Sequence, residues 1–245
     1  MTRPEEPQHK RPALPKRFYR TVAVEAVPPL FRVLLDGKPA GTPARKELAL
    51  PSEALAEAVA AEWEAQREHI DPATMPLTRL VNSGLDGIAG REAEVRADIA
   101  KYADNDLICY RAETPAGLVR RQTEAWDPVL AWAHVALGTR FILAQGVIPV
   151  AQPAGAIEAV ERTLTGHDPL SLAAYHVMTT LTGSALLALA HGAGHLTAEE
   201  AWSAAHIDED WEISQWGEDG EAKARRAHRW SEMQAASRLL ALLAA

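Results

Sequence analysis

The hydrophobic and polar positions near the start of the chain alternate with the two-residue period of a β-strand. This alternation runs through residues 18–27, and a second apolar run, FRVLL, follows at residues 31–35. Asp36 and Gly37 come directly after that run, and this pair is typical of a two-residue hairpin turn. The first fifty residues therefore predict a small antiparallel sheet.

A four-residue apolar period then replaces the alternation. Ser52 can cap a helix, and Leu55, Val59 and Trp63 recur on one side of it while charged residues occupy the other side. This pattern predicts an amphipathic helix that packs against the sheet. Trp63 lies on the apolar side, so its replacement by a charged residue is expected to prevent folding.

Helical periods dominate the remainder of the chain. They predict helices at residues 76–88, around 95–102, and at about 115–137, 153–165, 169–191, 197–213 and 218–243. Two segments differ: DLICYRA, residues 106–112, is predicted to be a strand, and FILAQGV, residues 141–147, is predicted to be an extended connector.

Strands first and helices later indicate an α+β fold. We predict a small N-terminal antiparallel sheet with packed helices, followed by a mostly helical C-terminal domain. The predicted divisions are a flexible leader at residues 1–17, an N-terminal α+β domain at residues 18–112 and a helical domain at residues 113–245. The leader holds Glu5, Glu6 and several prolines, which is unlike a secretion or import signal.

The charge balance bears on possible partners. The chain has 25 basic and 33 acidic residues, so it offers no general attraction to nucleic acid or to anionic lipid. Residues 169–190 carry no formal charge, but their Ser, Thr and His content favours a helix buried in the protein over a membrane span. The single cysteine, Cys109, lies in an apolar run and is predicted to be buried.

Searches for catalytic motifs identify little. The sequence has no G-x-S-x-G elbow, no phosphate-binding P-loop and no G-x-G-x-x-G motif. The best metal-ligand candidates are His191, His195, His206 and Asp210, which would suit a helical metal-dependent hydrolase. Glycines between the first two histidines favour a turn there, so that a shared metal ion is not the expected arrangement. This hydrolase is kept as the alternative function.

The stretch DEDWEISQWGEDGEA, residues 208–222, holds seven carboxylates and two tryptophans without any Lys or Arg. One interpretation is a solvated acidic turn whose tryptophans reach back into a helical core. The other is a protein-binding surface, because aromatic side chains ringed by charge combine an anchor with a steering rim. The pattern alone leaves both open.

Three segments together resemble the F1-ATPase assembly chaperones that hold the free alpha subunit. The first, residues 61–86, carries the family's pattern at Trp63, Gln66, Ile70, Pro72, Met75, Pro76, Leu77, Thr78, Asn82 and Asp86. The second carries Asp-x-Ile-Cys-Tyr-Arg at residues 106–111 and Trp-Asp-Pro at residues 126–128. The third is ISQWG, residues 213–217, followed by acids.

The resemblance implies a chaperone for the alpha subunit of F1, with no enzyme activity, no cofactor and no small-molecule substrate. Mitochondrial members begin with an import segment, and because this leader is unlike one, a bacterial cytoplasmic protein is expected; eukaryotic relatives would be in the mitochondrial matrix. The expected partner-binding residues are Trp211, Glu212, Trp216, Glu218, Asp219 and Glu221. The expected structural residues are Trp63, Met75, Pro76, Trp126 and Asp127.

Overall fold

A computed structural model describes residues 13–146 and 150–244 of the chain. Its N-terminal part is an antiparallel sheet, as predicted, built from β1 (Val22–Val27), β2 (Leu30–Leu35), β3 (Lys38–Pro39) and β4 (Ala49–Leu50). β2 is central and pairs with the other three strands. Asp36 and Gly37 connect β2 to β3 with positive φ angles of 49° and 74°, which confirms the predicted hairpin turn.

The helix predicted after the sheet, α1 (Glu53–Ala65), lies against β1 and β2. The Ser52 hydroxyl caps it by accepting a hydrogen bond from the Leu55 N–H at 3.3 Å. Val59 is fully buried, and Trp63 is half-buried against the core, with its ring in edge contact with another aromatic ring. The four-residue apolar period therefore marks the side that faces the sheet, as predicted.

The next elements are α2 (Pro76–Asn82), its π-helical extension Ser83–Ile88 and α3 (Glu92–Lys101). They confirm the helices predicted at residues 76–88 and 95–102. A side chain of α1 stabilises the start of α2: the Glu62 carboxylate accepts hydrogen bonds from the backbone N–H groups of Leu77 and Thr78 at 2.9 and 2.7 Å. Because those N–H groups have no partner within the helix, this contact ties α1 to α2.

The strand predicted for residues 106–112 is wrong for most of its length. Leu107–Cys109 is a 3-10 turn, and only β5 (Tyr110–Arg111) is extended. The turn forms because the buried Asp106 carboxylate accepts a hydrogen bond from the Ile108 N–H at 3.3 Å. Short polar side chains that bond to their own backbone in this way compete with strand pairing.

The C-terminal half is helical, as predicted. Its elements are α4 (Ala116–Leu137), the two-residue strand β6 (Ala144–Gln145), α5 (Ala154–Thr163), α6 (Pro169–Thr182), α7 (Ala185–Gly192), α8 (Ala198–Ala205), α9 (Ile207–Trp216) and α10 (Gly220–Ala244). β6 pairs in parallel with β5, so the predicted connector at residues 141–147 is extended at residues 144–145. Gly146 then turns the chain with a φ of 70°, and residue 147 lies outside the described residues. The sheet therefore precedes the helices, which confirms the α+β class.

Two of the predicted helices are each divided in two. Residues 169–191 form α6 and α7, because Gly183 has a left-handed φ of 69° and the Ser184 hydroxyl caps the next helix. Residues 197–213 form α8 and part of α9, because His206 leaves the helical conformation at φ −114° and ψ 19°. Single-helix predictions for these two segments are therefore wrong.

One continuous cluster of buried apolar side chains includes residues on both sides of position 112. α10 packs against α1, α2 and α6, and the Ser52 hydroxyl donates a hydrogen bond to the Leu242 carbonyl at 3.1 Å. The division into two domains at residue 112 stays a prediction. Residues 1–12 of the predicted leader lie outside the described residues, while the Pro15 carbonyl accepts a hydrogen bond from the Ile70 N–H at 2.8 Å.

The uncharged segment at residues 169–190 forms α6 and α7, and most of their side chains lie in the core. This confirms that the segment is buried within the protein. None of the helices in residues 13–146 and 150–244 is both long enough and apolar enough to span a membrane. The lack of charge in this segment therefore reflects its place in the centre of the helical layer.

Candidate binding surface

The acidic stretch of residues 208–222 forms α9, the turn after it and the start of α10. No residue of α9 is fully buried. Asp208, Glu209 and Asp210 lie in its first turn, where the free backbone N–H groups stabilise negative charge. The acids therefore help to start a helix that the core contacts along one side only.

A buried histidine holds the junction between α8 and α9. His206 is 5% exposed, its ring centroid lies 3.9 Å from that of Trp202, and its Nδ1 donates a hydrogen bond to the Trp202 carbonyl at 2.7 Å. Burial lowers the pKa of His206, so this side chain is neutral at pH 7. The junction is thus held by packing and one hydrogen bond, without a charge.

Two carboxylates of α9 are bonded to neighbouring helices. The Asp208 carboxylate accepts a hydrogen bond from the Gln122 amide of α4 at 2.6 Å, and the Gln122 carbonyl oxygen accepts one from the Ala112 N–H at 2.9 Å. Asp210 forms an ion pair with Arg226 of α10, and this hydrogen bond raises the pKa of Arg226. These two acids fix the position of α9.

Gln122 was not among the predicted site residues, although the sequence carries a signal for it. Gln122 has the helical spacing of the buried residues Trp126, Val129 and Ala133 in α4, and it is itself 2% exposed. A polar side chain within an apolar stripe needs an internal hydrogen-bonding partner. Which partner it has, Asp208 of α9, depends on the packing of two helices that are far apart in sequence.

The remaining acids predicted to bind a partner are all exposed: Glu212, Glu218, Asp219 and Glu221. Glu212 has no ion-pair partner among the residues that the structure describes. Glu218 contacts Lys223 at 2.9 Å, and Asp219 accepts a hydrogen bond from the backbone N–H of Ala222 at the start of α10, also at 2.9 Å. These acids are therefore accessible to another molecule. Asp208 is also exposed, but it and Asp210 are each bonded to a side chain of a neighbouring helix.

The two tryptophans of the stretch have different environments. Trp211 is half-buried on α4, where a Cβ atom on Gly117 would lie 2.6 Å from its ring and the Arg121 guanidinium lies 5.1 Å from the ring centroid. The absence of a side chain at Gly117 gives this ring its place. Trp216, at the end of α9, is 88% exposed. Trp211 thus holds the helix, whereas Trp216 is free to contact a partner.

An open notch of about 290 Å³ separates α9 from α10. We call it the α9–α10 notch; its lining residues are Glu209, Glu212, Ile213, Trp216, Gly217, Glu218, Asp219, Ala222 and Lys223. The lining combines four carboxylates, one ammonium group and an exposed indole. Gly217 has a φ of 88°, so a residue with a side chain would be strained at the turn that shapes the notch.

A larger groove of about 560 Å³ lies on the other side of α9, between α4, α8 and α9. We call it the α4–α9 groove; its lining residues are Arg121, Glu124, Ala125, Pro128, Leu196, Glu200, Ser203, Ala204, Ile207 and Asp210. Its floor is apolar and its rim is charged. α9 therefore has accessible concave surfaces on both sides.

The structure separates the candidate metal ligands of the alternative function. His191 lies in the last turn of α7 and is bonded to the Leu196 carbonyl at 2.9 Å and to the Ser237 hydroxyl at 3.0 Å. The ring of His195 stacks on an aromatic ring of α4. His206 and Asp210 are bonded as described above. Among the described residues, no group of three His, Cys, Asp or Glu side chains could hold a metal ion.

Cys109, the single thiol of the chain, is in the core. It is fully buried, as predicted, and burial raises the pKa of the thiol to about 12. A neutral, enclosed thiol is a poor nucleophile, because the thiolate is the reactive form. Cys109 is therefore a packing residue of the core.

The five residues expected to be structural lie in or beside the core. Met75 is 2% exposed and directly precedes Pro76, the first residue of α2, while the half-buried Trp63 of α1 packs against the core. Trp126 is 1% exposed, and its indole N–H donates a hydrogen bond to the Ala204 carbonyl at 2.7 Å. Asp127 is exposed and pairs with the buried Arg111 at 2.8 Å.

Comparisons with known proteins agree with this architecture. The sequence pattern of the ATP12 chaperone protein family matches residues 16–134. The structure resembles that of the Atu1473 protein from Agrobacterium tumefaciens, with 53% identity, a TM-score of 0.90, and coverage of 94% of this chain and 87% of that chain. Atp12 from Paracoccus denitrificans is 39% identical, with a TM-score of 0.87 and coverage of 93% of this chain and 98% of its own.

A more distant relative is the mitochondrial protein atp12 of Schizosaccharomyces pombe, which is 23% identical over 218 residues, covering 82% of this chain and 74% of that protein. The similarity to the Paracoccus protein extends over both the sheet and the helical half, so it is not confined to one motif. The chain therefore belongs to the ATP12 family of chaperones for assembly of the F1 ATP synthase, the family that its motifs resemble.

Proposed function

We propose that this protein binds the unassembled alpha subunit of F1 and keeps it from aggregating until the beta subunit takes its place. A ring subunit that is alone exposes apolar contact surface, and such surface drives aggregation. Covering it requires a complementary surface with moderate affinity and no catalytic group. We propose a cytoplasmic bacterial protein that acts without enzyme activity, cofactor or small-molecule substrate.

The observation that carries this proposal is the exposure of Trp216 at the rim of the acidic α9–α10 notch. An indole that is 88% exposed has no folding role to explain it. In protein interfaces, tryptophans are frequent energetic anchors, and charges around them steer association. We propose that Trp216 contacts the client and that Glu212, Glu218, Asp219 and Glu221 form the charged rim. Trp211 supports them by packing its ring on α4.

Capture of the client tests the proposal directly. The alpha subunit is expressed alone, with this protein, or with an unrelated acidic protein of similar size, and the soluble and co-purifying alpha subunit is quantified. We expect the alpha subunit to stay soluble when it is expressed with this protein, and to aggregate when it is expressed alone or with the unrelated acidic protein. The same experiment with the beta subunit identifies the client, because equal capture of both would contradict specificity for alpha. No gain in soluble alpha would refute the proposed function.

Replacing Trp216 by alanine should weaken capture of the alpha subunit by about 30-fold, since central aromatic anchors contribute about 2 kcal/mol or more to binding. The free energy of unfolding should stay within about 0.5 kcal/mol of the wild-type value, because the side chain is almost fully exposed. Trp216→Phe, which keeps an aromatic ring, should retain part of the affinity. Unchanged capture by Trp216→Ala would remove this residue from the surface.

Reversing the rim charges should also weaken capture. The triple variant Glu212→Lys, Glu218→Lys, Asp219→Lys changes the local charge by six, and we expect the dissociation constant for the alpha subunit to rise by at least about tenfold. Wild-type capture should weaken with added salt, because exposed charges are screened. Titration by surface plasmon resonance at two salt concentrations measures both effects.

A matched control separates this local effect from the change in net charge. Glu68→Lys, Glu94→Lys and Glu158→Lys together make the same change at three exposed acids that lie outside α9 and α10. This control should capture the alpha subunit as the wild-type protein does. Equal loss of capture in both triple variants would mean that net charge, and not the α9–α10 notch, governs binding.

A further inference from the structure

The outer edge of β1 carries backbone groups that have no hydrogen-bonding partner among residues 13–146 and 150–244. The Asp36 N–H donates to the Thr21 carbonyl at 3.0 Å, so these two residues form a hydrogen-bonded pair next to the β1–β2 ladder. In an antiparallel ladder such pairs alternate with non-hydrogen-bonded pairs. The backbone groups of Val22, Val24 and Ala26 therefore point away from β2.

The residue opposite Val24 supports this assignment independently. Val33 donates its N–H to the Leu48 carbonyl at 3.2 Å and accepts a hydrogen bond from the Ala40 N–H at 2.8 Å, both on the side of β2 away from β1. Since Val33 and Val24 form a non-hydrogen-bonded pair, the groups of Val24 must face the opposite way. No described residue bonds to them there.

The β1 edge also lacks most of the features that usually prevent edge pairing, and its one charged residue, Glu25, is paired with Arg32 of β2 at 2.8 Å. The strand is six residues long and pairs with β2 in unbroken register, and it contains no proline, lysine or bulge. Sheet edges of this kind are templates for an additional strand. Two exposed apolar residues, Val27 and Leu30, lie at its far end.

A groove of about 380 Å³ runs beside this edge, between β1 and α1. Val22, Ala23 and Val24 form one wall, and Glu53, Glu57, Ala60, Ala61 and Glu64 of α1 form the other. Glu64 pairs with Arg17 at 3.2 Å, whereas Glu53 and Glu57 have no ion-pair partner within the described part of the chain. No Lys or Arg lines the groove, so a strand placed here would lie beside negative charge.

We propose that the β1 edge binds an extended segment of the client by strand addition, with Lys or Arg side chains of that segment over the carboxylates of α1. This inference rests on the proposed chaperone function and adds a second contact to the α9–α10 notch. Backbone hydrogen bonds supply the affinity, and the carboxylates supply the preference for basic residues. Pairing with a second copy of this chain is disfavoured, because it would bring two sets of these carboxylates together.

Two separate contacts on one client suit a chaperone that must release it. Each contact can be weak, while the pair binds tightly because the second forms within the complex. When the beta subunit displaces either contact, the affinity for the client falls sharply. An added strand is also tolerant of sequence, since most of its hydrogen bonds involve the backbone.

Ala26→Pro tests the proposal. Proline removes the outward-pointing N–H of residue 26 and leaves the hydrogen bonds between β1 and β2 in place. Sheets tolerate proline at such an edge position. Ala26→Thr is the matched control, because it changes the same exposed side chain but keeps the N–H. We expect Ala26→Pro to weaken capture of the alpha subunit by at least about tenfold and Ala26→Thr to leave it unchanged.

Hydrogen exchange gives a direct readout and a second variant. In the complex with the alpha subunit, the amides of Val22, Val24 and Ala26 should exchange more slowly than in the free protein. The variant Glu57→Lys, which reverses a charge in the groove, should reduce both this protection and capture of the alpha subunit. If the wild-type protein captures alpha but these amides gain no protection, the edge proposal is overturned and the chaperone function stands. If the wild-type protein captures no alpha, both the edge proposal and the proposed chaperone function are refuted. If Ala26→Pro misfolds, Glu57→Lys decides the result.

Discussion

Replacing Asp106 by alanine should lower the free energy of unfolding by about 3–5 kcal/mol, one of the largest effects that we expect from a single substitution. The side chain is fully buried, and its carboxylate accepts hydrogen bonds from the N–H groups of Ile108 at 3.3 Å and Leu186 at 3.1 Å. Each of these buried donors, left without a partner, costs about 1–3 kcal/mol. Urea unfolding should show a lower midpoint with an unchanged slope.

The position of Asp106 explains the size of this effect. Its carboxylate caps two elements at once: the turn at Leu107–Cys109 and the start of α7. These elements belong to the two halves of the chain, and α7 is buried along almost its whole length. Alanine would therefore destabilise both the turn at Leu107–Cys109 and the start of α7, because each loses the carboxylate that caps it. An Asp106→Ala protein with wild-type stability would contradict this role.

The stability difference between the wild-type protein and Asp106→Asn, measured as a function of pH, is a control for the role of the Asp106 carboxyl group. Burial raises the pKa of Asp106 from 3.8 to about 6, so the folded protein holds this proton more tightly than the unfolded chain does. The contribution of this group to stability is thus greatest below pH 4, falls as the pH rises to about 6 and is constant above that. Asparagine does not titrate. The stability of the wild-type protein relative to Asp106→Asn should fall by about 3 kcal/mol between pH 4 and pH 6. A stability difference that does not change with pH would contradict the raised pKa of Asp106.

Replacing Trp126 by alanine should cost about 3–5 kcal/mol of unfolding free energy. The side chain is 1% exposed, its indole N–H donates to the Ala204 carbonyl at 2.7 Å, and the Arg111 guanidinium lies 5.2 Å from its ring. Alanine would leave a cavity between α4 and α8 and an unpaired carbonyl at the end of α8. Chemical unfolding followed by circular dichroism measures the loss.

Trp126→Phe separates packing from hydrogen bonding. It keeps most of the apolar volume but loses the N–H donor, so the expected loss is smaller, about 1–2 kcal/mol. Because Ala204 lies just before His206 and α9, both variants should also weaken capture of the alpha subunit in proportion to their loss of stability. A stable Trp126→Ala protein that fails to capture alpha would instead indicate direct contact.

The elements that could be predicted from sequence depend on contacts between near neighbours. Asp36 and Gly37 define their hairpin because few other pairs adopt two successive positive φ angles, and the Ser52 cap needs only a backbone N–H three residues away. The strand predicted at residues 106–112 failed for a related reason. Its apolar composition suits a strand, but the capping bond of Asp106 is stabilised by burial that no local pattern reports.

The candidate site shows a similar limit. Both tryptophans of α9 were expected to bind a partner, and the sequence around them offers no means of telling them apart. Trp211 is half-buried because Gly117, about ninety residues earlier, leaves space for its ring, whereas Trp216 extends beyond the end of the helix. Likewise, Asp208 and Asp210 look like the other acids of the stretch until Gln122 and Arg226 are found beside them.

The sequence by itself determined the α+β class, most of the helices, the hairpin and the family, because periodicity, caps and turn residues act over a few positions and the family motifs are contiguous. Only the tertiary structure decided which acids are bonded to neighbouring helices, which tryptophan is accessible, where the two grooves beside α9 and β1 lie, and why the metal-ligand candidates do not meet. Those features depend on distances between residues far apart in the chain, and such distances are set when helices pack on one another.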